Sequence, residues 1–218
     1  MKTQKSSIKF TSIALIIMLA LSSVIFVGCG GNSSSGANTA TNDEGAVKPE
    51  DYAGKHHAVI DIESYGKITV ELDGDAAPIT VKNFITLSNQ KFYDGLTFHR
   101  IIKDFMMQGG DPAGNGTGGS ENNIVGEFDS NGHENGLSHT RGVISMARAQ
   151  DPNSASSQFF ICHADSDFLD GDYAAFGIVT EGLDVVDAVC ENAKPTDNNG
   201  TIPAEDQPVI TSVKIRTE

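Results

Sequence analysis

The chain has 218 residues, 39% of them hydrophobic and 20% charged, enough for one globular domain with accessory segments. Acidic residues outnumber basic ones 29 to 15, a net charge of −14, and gripping a phosphate backbone needs clustered Lys and Arg, so nucleic-acid binding is excluded. The 23 glycines and 7 prolines call for many turns, which favours a β-rich domain over a helical bundle.

The chain opens on Lys2, Lys5 and Lys9, followed by an uncharged stretch from Phe10 to Gly28, the charged-then-apolar pattern of a secretory leader. Val27-Gly28-Cys29 resembles the lipobox of bacterial lipoproteins, in which the cysteine is lipidated and becomes the new first residue. Phe26 departs from the aliphatic residue that family prefers there. An uncleaved membrane anchor is the competing reading, because the stretch is just long enough to span a bilayer. Both readings put the domain outside the cytoplasm, and the lipobox expects it anchored to the bacterial cell membrane through a lipid on Cys29. Residues 1–28 then form the signal peptide. Residues 29–54 form a tether rich in Gly, Ser, Asn and Thr, which between Gly30 and Ala46 has no Leu, Ile, Val or Phe with which to build a core. Residues 55–218 remain for one folded domain.

Within that domain Ala58, Ile60 and Ile62, then Ile68, Val70 and Leu72, alternate with polar partners across Ser64-Tyr65-Gly66, which predicts a hairpin. A helix is predicted next, with Pro78 at its first position and Val81, Phe84, Ile85 and Ser88 at helical spacing. Further strands are expected over Leu96 to Ile102, Val143 to Ala147, Gln158 to Cys162, Ala174 to Val179 and Val209 to Ile215. A second helix is expected from Gly182 to Ala193. Many short strands with two helices point to a closed antiparallel barrel or a sandwich.

Several motifs lead nowhere. Gly114-Asn115-Gly116-Thr117-Gly118-Gly119 formally fits the spaced glycines of a dinucleotide site, but no strand leads directly into it and no amphipathic helix follows, so it is read as a loop. His133 and His139 miss the one-turn helical spacing of a metalloprotease and are assigned polar or structural roles. Cys162 and His163, adjacent on a strand, point to opposite faces and cannot act as nucleophile and base. A disulfide between Cys162 and Cys190 stays open. No metal, nucleotide or other cofactor is indicated.

The run Phe98-His99-Arg100-Ile101-Ile102-Lys103-Asp104-Phe105-Met106-Met107-Gln108-Gly109-Gly110-Asp111, followed later by Ser157-Gln158-Phe159-Phe160-Ile161, resembles the cyclophilin family of peptidyl-prolyl isomerases. Ser145-Met146-Ala147, Leu169-Asp170-Gly171 and Phe176-Gly177 follow in the family's order. The resemblance implies an eight-stranded closed antiparallel barrel capped by two helices, with an active groove on its outer wall. Together with the leader and the lipobox it implies that proline-containing segments of exported proteins are the substrates, with the membrane touched through the lipid anchor alone.

The residue types suit the reaction. X-Pro rotation must cross about 18–20 kcal/mol as amide resonance is lost, and no covalent chemistry is required. The prolyl nitrogen gains a lone pair in the twisted state, so a donor aimed at it stabilises the transition state and not the planar ground state. Arg100 offers such a donor, and Phe105, Met106, Phe160 and Leu169 can wall a dry pocket for the proline ring. A three-residue loop at Lys103-Asp104-Phe105 sets Arg100 opposite Gln108 and Ile102 opposite Met106, all on one face, where Gln108 orients the guanidinium.

By resemblance Arg100 and Gln108 form the catalytic pair. Phe105, Met106, Ala147, Arg148, Gln158, Phe160, Phe168, Leu169 and Tyr173 form the substrate groove. Three residues depart from the best-known eukaryotic pattern: Arg148 stands for an asparagine whose main-chain groups hold substrate, Phe168 for a tryptophan and Tyr173 for a histidine. Phe168 lacks the indole N–H, so weakened cyclosporin binding is expected. The alternatives are a non-catalytic module or holdase that grips proline segments, against which Arg100 and Gln108 argue, and a solute-binding lipoprotein, for whose two lobes the domain is too short.

Overall fold

A computed structural model describes residues 52–216. The expected leader, the expected lipidation site at Cys29 and nearly all of the expected tether lie outside these residues. The order of elements is β1 (Lys55–Ile62), β2 (Gly66–Asp73), α1 (Pro78–Asn89), β3 (Thr97–Ile102), β4 (Met106–Asp111), β5 (Val143–Met146), β6 (Phe159–Cys162), β7 (Ala175–Glu181), α2 (Leu183–Asn192) and β8 (Ile210–Arg216). The eight strands form one antiparallel sheet in the order β3-β4-β6-β5-β7-β2-β1-β8. It curls around the main core, with α1 packed on β2 and β8, and α2 on β2 and β4. Among the described residues no helix is long and apolar enough to cross a membrane.

The first hairpin falls where alternation placed it, β4 is a strand missing from those expected, and the registers sort the side chains. In the first hairpin Ala58 faces Val70 and Ile60 faces Ile68, all fully buried. The strands β4 and β6 read differently: Met106-Met107 and Phe159-Phe160-Ile161-Cys162 are continuous apolar runs, as expected where both faces are covered. Met107, Phe159 and Ile161 enter the main core, while Met106, Phe160 and Cys162 form a separate cluster with Leu169 on the other face. This outer cluster gives the sheet a second apolar surface. The paired glycines that end β4 suit the same crowding: Gly110 holds φ +80°, and a Cβ there would come within 2.6 Å of the Ser157 carbonyl oxygen.

The expected closed barrel is a half-barrel. Among the described residues the edge strands β3 and β8 share no ladder; their ends meet at the bridge Thr97↔Val209, with Ile210 N–H donating to Leu96 O at 2.7 Å and Gly95 N–H to Ile210 O at 2.8 Å. The outer edge of β3 is occupied instead by the 200–202 segment, since Ile101 N–H donates to Gly200 O at 2.8 Å and Ile202 N–H to His99 O at 3.0 Å. The sequence reading also differs at the glycine-rich loop, because β4 does run up to it, ending at Asp111. No helix follows. The amides that a phosphate would need are already used, with Ala113, Asn115 and Gly116 N–H donating to the buried Asp111 carboxylate at 2.7, 3.0 and 2.6 Å.

Cys162 and Cys190 are buried free thiols, one in each apolar cluster, and burial pushes both up to about 12. Tyr52 and Gly54, assigned by sequence to the tether, are tied to the domain: Tyr52 packs on the main core and Gly54 N–H donates to Asp75 Oδ1 at 2.8 Å.

The first turn of α1 borrows its cap. Ala77 at the N-cap offers no side-chain acceptor, yet the first N–H groups of a helix need partners. Buried Glu127 supplies them from a distant loop, accepting from Ile79 N–H at 3.0 Å and from Thr80 N–H and Oγ1 at 2.8 and 2.7 Å. Glu127→Ala strands these donors and should cost about 2–4 kcal/mol, read as a lowered urea midpoint; a midpoint unchanged from wild type would contradict the assignment.

Two buried histidines set the acid limit. Burial lowers His99, with Asp111 opposing it, and burial lowers His139, with Asp170 opposing it. The unfolded chain therefore binds protons on these rings near the ordinary value of 6.5 while the folded chain still holds them neutral. Stability should fall steadily as pH drops from about 7 to about 5, above the range where most carboxylates titrate. Urea denaturation across that window checks this, and a flat or rising trend would contradict it.

Candidate functional site

The β3–β4 hairpin turns through Lys103, Asp104 and Phe105 with Asp104 at φ +61°, a left-handed conformation that Asp tolerates. His163 clamps the turn: its Nδ1 accepts from Asp104 N–H at 2.8 Å, and its own N–H donates to Phe105 O at 2.9 Å. Arg100 consequently pairs with Gln108, and Ile102 with Met106, as the spacing requires. Across the next ladder Gln108 faces Phe160 and Met106 faces Cys162. Arg100, Met106, Gln108 and Phe160 thus share the outer face of the sheet.

A chain of donors runs along that face. Arg100 Nη1 donates to Gln108 Oε1 at 3.1 Å, and Gln108 Nε2 donates to Gln158 Oε1 at 2.9 Å. Gln158 Nε2 in turn donates to Gly118 O at 2.7 Å and Gly116 O at 3.2 Å. On its other side Arg100 Nε donates to Asn199 O at 2.7 Å, and Nη2 lies 3.4 Å from Asn199 Oδ1. Arg100 Nη1 also lies 4.0 Å from Met106 Sδ, which sets the cation against the pocket floor. Burial pulls Arg100 down from its ordinary value, with Tyr173 and Asp197 opposing, but a guanidinium stays charged.

Beside it lies the apolar pocket. Met106, Phe160 and Leu169 are buried, and Ile102, Phe105, Ala147 and Tyr173 are half-buried around them. Phe168 stands apart: it is 68% exposed and touches the group through Phe105, ring centroids 5.5 Å apart. Arg148 does not reach the floor and lies across Tyr173 at the rim, 4.8 Å from the ring centroid.

Two residues here were not singled out by sequence reasoning. Asn199 holds Arg100 from a loop whose own turn is fixed by Asp197, which accepts from Asn199 N–H at 3.0 Å and Thr201 N–H at 3.1 Å. Ser145 belongs to a support beneath Phe160, together with His139, which sequence reasoning assigns a polar or structural role. The His139 ring stacks on Phe160 at 6.0 Å and 15°. Its Nδ1 meets Asp170 Oδ1 at 2.7 Å and its Nε2 meets Ser145 Oγ at 3.0 Å. The network assigns the proton to Nδ1, facing the carboxylate, and leaves Nε2 to accept from the hydroxyl.

Such a face can hold a flat apolar ring in a dry pocket with a fixed cation at its edge. The family model described as "Cyclophilin type peptidyl-prolyl cis-trans isomerase/CLD" matches residues 57–216. The chain is 50% identical over 124 residues to "Peptidyl-prolyl cis-trans isomerase-like 1" of Rhizopus delemar, covering 56% of this chain and 73% of that protein. It is 47% identical over 123 residues to "Peptidyl-prolyl cis-trans isomerase B" of Bacillus subtilis, covering 56% and 82%. A crystal structure of a Cryptosporidium parvum cyclophilin-type isomerase in the presence of the dipeptide Ala-Pro superposes with a TM-score of 0.65 at 32% identity, covering 74% of this chain and 99% of that one. With its mainly β half-barrel and two helices, the chain belongs to the cyclophilin-type peptidyl-prolyl cis-trans isomerase family and is an isomerase of that type.

Proposed function

We propose that the protein isomerises X-Pro bonds in exported proteins while tethered to the outer side of the bacterial cell membrane by a lipid on Cys29. The basic-then-apolar leader, the Val27-Gly28-Cys29 site and the core-less tether support the address. In this reading residues 55–218 are the working domain and the tether sets its reach.

The observation that carries the mechanism is the fixed guanidinium of Arg100 at the edge of the Met106, Phe160 and Leu169 pocket. The proline ring enters that pocket, which excludes water and holds the ring while the rest of the peptide turns. As the amide twists, the prolyl nitrogen becomes pyramidal and Arg100 donates to its new lone pair. Gln108 and Asn199 hold the donor in place beforehand, so it need not reorganise at the barrier. A charge-assisted bond of this kind is worth about 1.5–3 kcal/mol. Phe105, Ala147, Gln158, Phe168 and Tyr173, with the main chain of Arg148, line the path of the flanking peptide.

The deciding measurement is the cis-to-trans rate of an Ala-Pro peptide with the purified protein and its Arg100→Ala variant. Acceleration by wild type that falls about 100-fold in the variant is expected, the usual scale for removing one preorganised transition-state donor. Peptide binding by wild type with no acceleration would leave a gripping module in its place. Cyclosporin separates the rim from the chemistry. Phe168 cannot donate a hydrogen bond, so inhibition should be weaker than nanomolar, and Phe168→Trp should tighten it about 10-fold; nanomolar inhibition of wild type would refute this.

A further inference from the structure

Arg148 is held more firmly than a surface arginine needs to be. Its guanidinium carbon lies 5.0 Å from the centroid of the buried Phe128 ring and 4.8 Å from that of Tyr173, so two aromatic faces contact one cation. Nε donates to Asp172 O at 2.9 Å, and Nη1 to Ala149 O at 3.0 Å, with Gln150 O further off at 3.4 Å. All of these partners are neutral. Among the described residues no carboxylate pairs with Arg148, Nη2 keeps both of its hydrogens, and the full charge remains at the lip of the pocket.

Tyr173 joins this cation to the site. It packs against Phe160 at 6.0 Å and belongs to the pocket group. Burial pushes its phenol up, the Arg148 and Arg100 guanidiniums act to lower it, and the Asp172 carboxylate acts to raise it. The pocket is thus flanked by two fixed cations in a chain whose net charge is −14. Asp151, three residues along the chain, and Asp172 are both solvent-exposed, and Asp172 gives Arg148 its carbonyl.

We infer that Arg148 selects substrates, and that the groove prefers proline segments with a single acidic residue next to or one removed from the proline. The inference rests on the peptide groove proposed above. A peptide carboxylate at the rim meets a guanidinium already oriented, so little side-chain entropy is lost on pairing, and charge-assisted bonds to Nη2 become available. The preference is local. A polyacidic segment is repelled by the rest of the surface, whereas one carboxylate beside the proline feels the nearby cation most, within a Debye length.

The test uses the purified protein and short proline peptides carrying Glu, Gln or Lys at either of the two positions before the proline or at the one after it. Both the Kd and the catalysed-over-uncatalysed rate are read. At one position or more, Glu should be favoured over Gln by at least about 5-fold at about 20 mM salt, with Lys disfavoured, and the ratio should approach one at about 0.5 M salt. Arg148→Gln should bring the Glu-to-Gln ratio within about 2-fold of one, while Arg148→Lys keeps its direction at reduced size. Equal treatment of Glu, Gln and Lys by wild type, or an unchanged ratio in Arg148→Gln, overturns the inference. Acceleration of all peptides alike would sink the acid preference and leave the isomerase standing; tighter binding of Glu peptides without acceleration would do the reverse.

Discussion

The register of the β3–β4 hairpin is the constraint on which the site depends. Side chains on a strand alternate faces, so a slip of one residue against β4 would move Arg100 from the outer face to the core and carry Ile101 out of it. The three-residue turn prevents that slip, and Asp104 at φ +61° with His163 bound to both Asp104 and Phe105 fixes the turn itself. The neighbouring ladder makes the same demand independently. On β6, Phe159 and Ile161 must point inward if Phe160 and Cys162 are to point outward, so core packing holds the groove in position.

From that register follows a directional chain of hydrogen bonds. Arg100 donates to Gln108, Gln108 to Gln158, and Gln158 to the carbonyls of the glycine-rich loop. Each amide offers one acceptor and one donor along the line, so every link after Arg100 is set by the link before it. The loop that receives the last donor is in turn wrapped around the Asp111 carboxylate. The glycines that looked like a phosphate cradle instead end a line of side chains that begins at the pocket.

The first hairpin was legible because alternation is a two-residue signal, whereas the order in which the other strands pair was not. The double-faced strands were legible as apolar runs such as Phe159-Phe160-Ile161-Cys162. The pairing of Arg100 with Gln108 could be counted out from the turn. Closure could not: whether β8 or the 200–202 segment covers the edge of β3 depends on chain path between elements, which no local pattern encodes. Asn199 was hidden for a similar reason. It is a polar loop residue 99 positions from Arg100, and its contact is made largely through its backbone carbonyl, which carries no sequence identity. His139 reads from the sequence as a polar or structural residue; its stacking on Phe160 and its bonds to Ser145 and Asp170 make a structural role specific.

The partners of Arg100 are oxygens without charge, and this matters for what the cation can do. A carboxylate in the place of Gln108 or Asn199 would bind the guanidinium more tightly and neutralise its field. Amide and carbonyl oxygens satisfy its geometry and leave its charge directed at the pocket. The cost of that choice is visible as desolvation, which pulls Arg100 down from its ordinary value with only the more distant Tyr173 and Asp197 opposing. An arginine tolerates this because its guanidinium remains charged at any physiological pH, whereas a lysine held the same way would be free to lose its proton. Neutral ligation of a half-buried arginine is therefore a coherent way to store an unspent positive charge beside an apolar pocket. A twisted amide, whose nitrogen gains a lone pair only at the top of the barrier, is a group that such a charge stabilises more than the planar substrate.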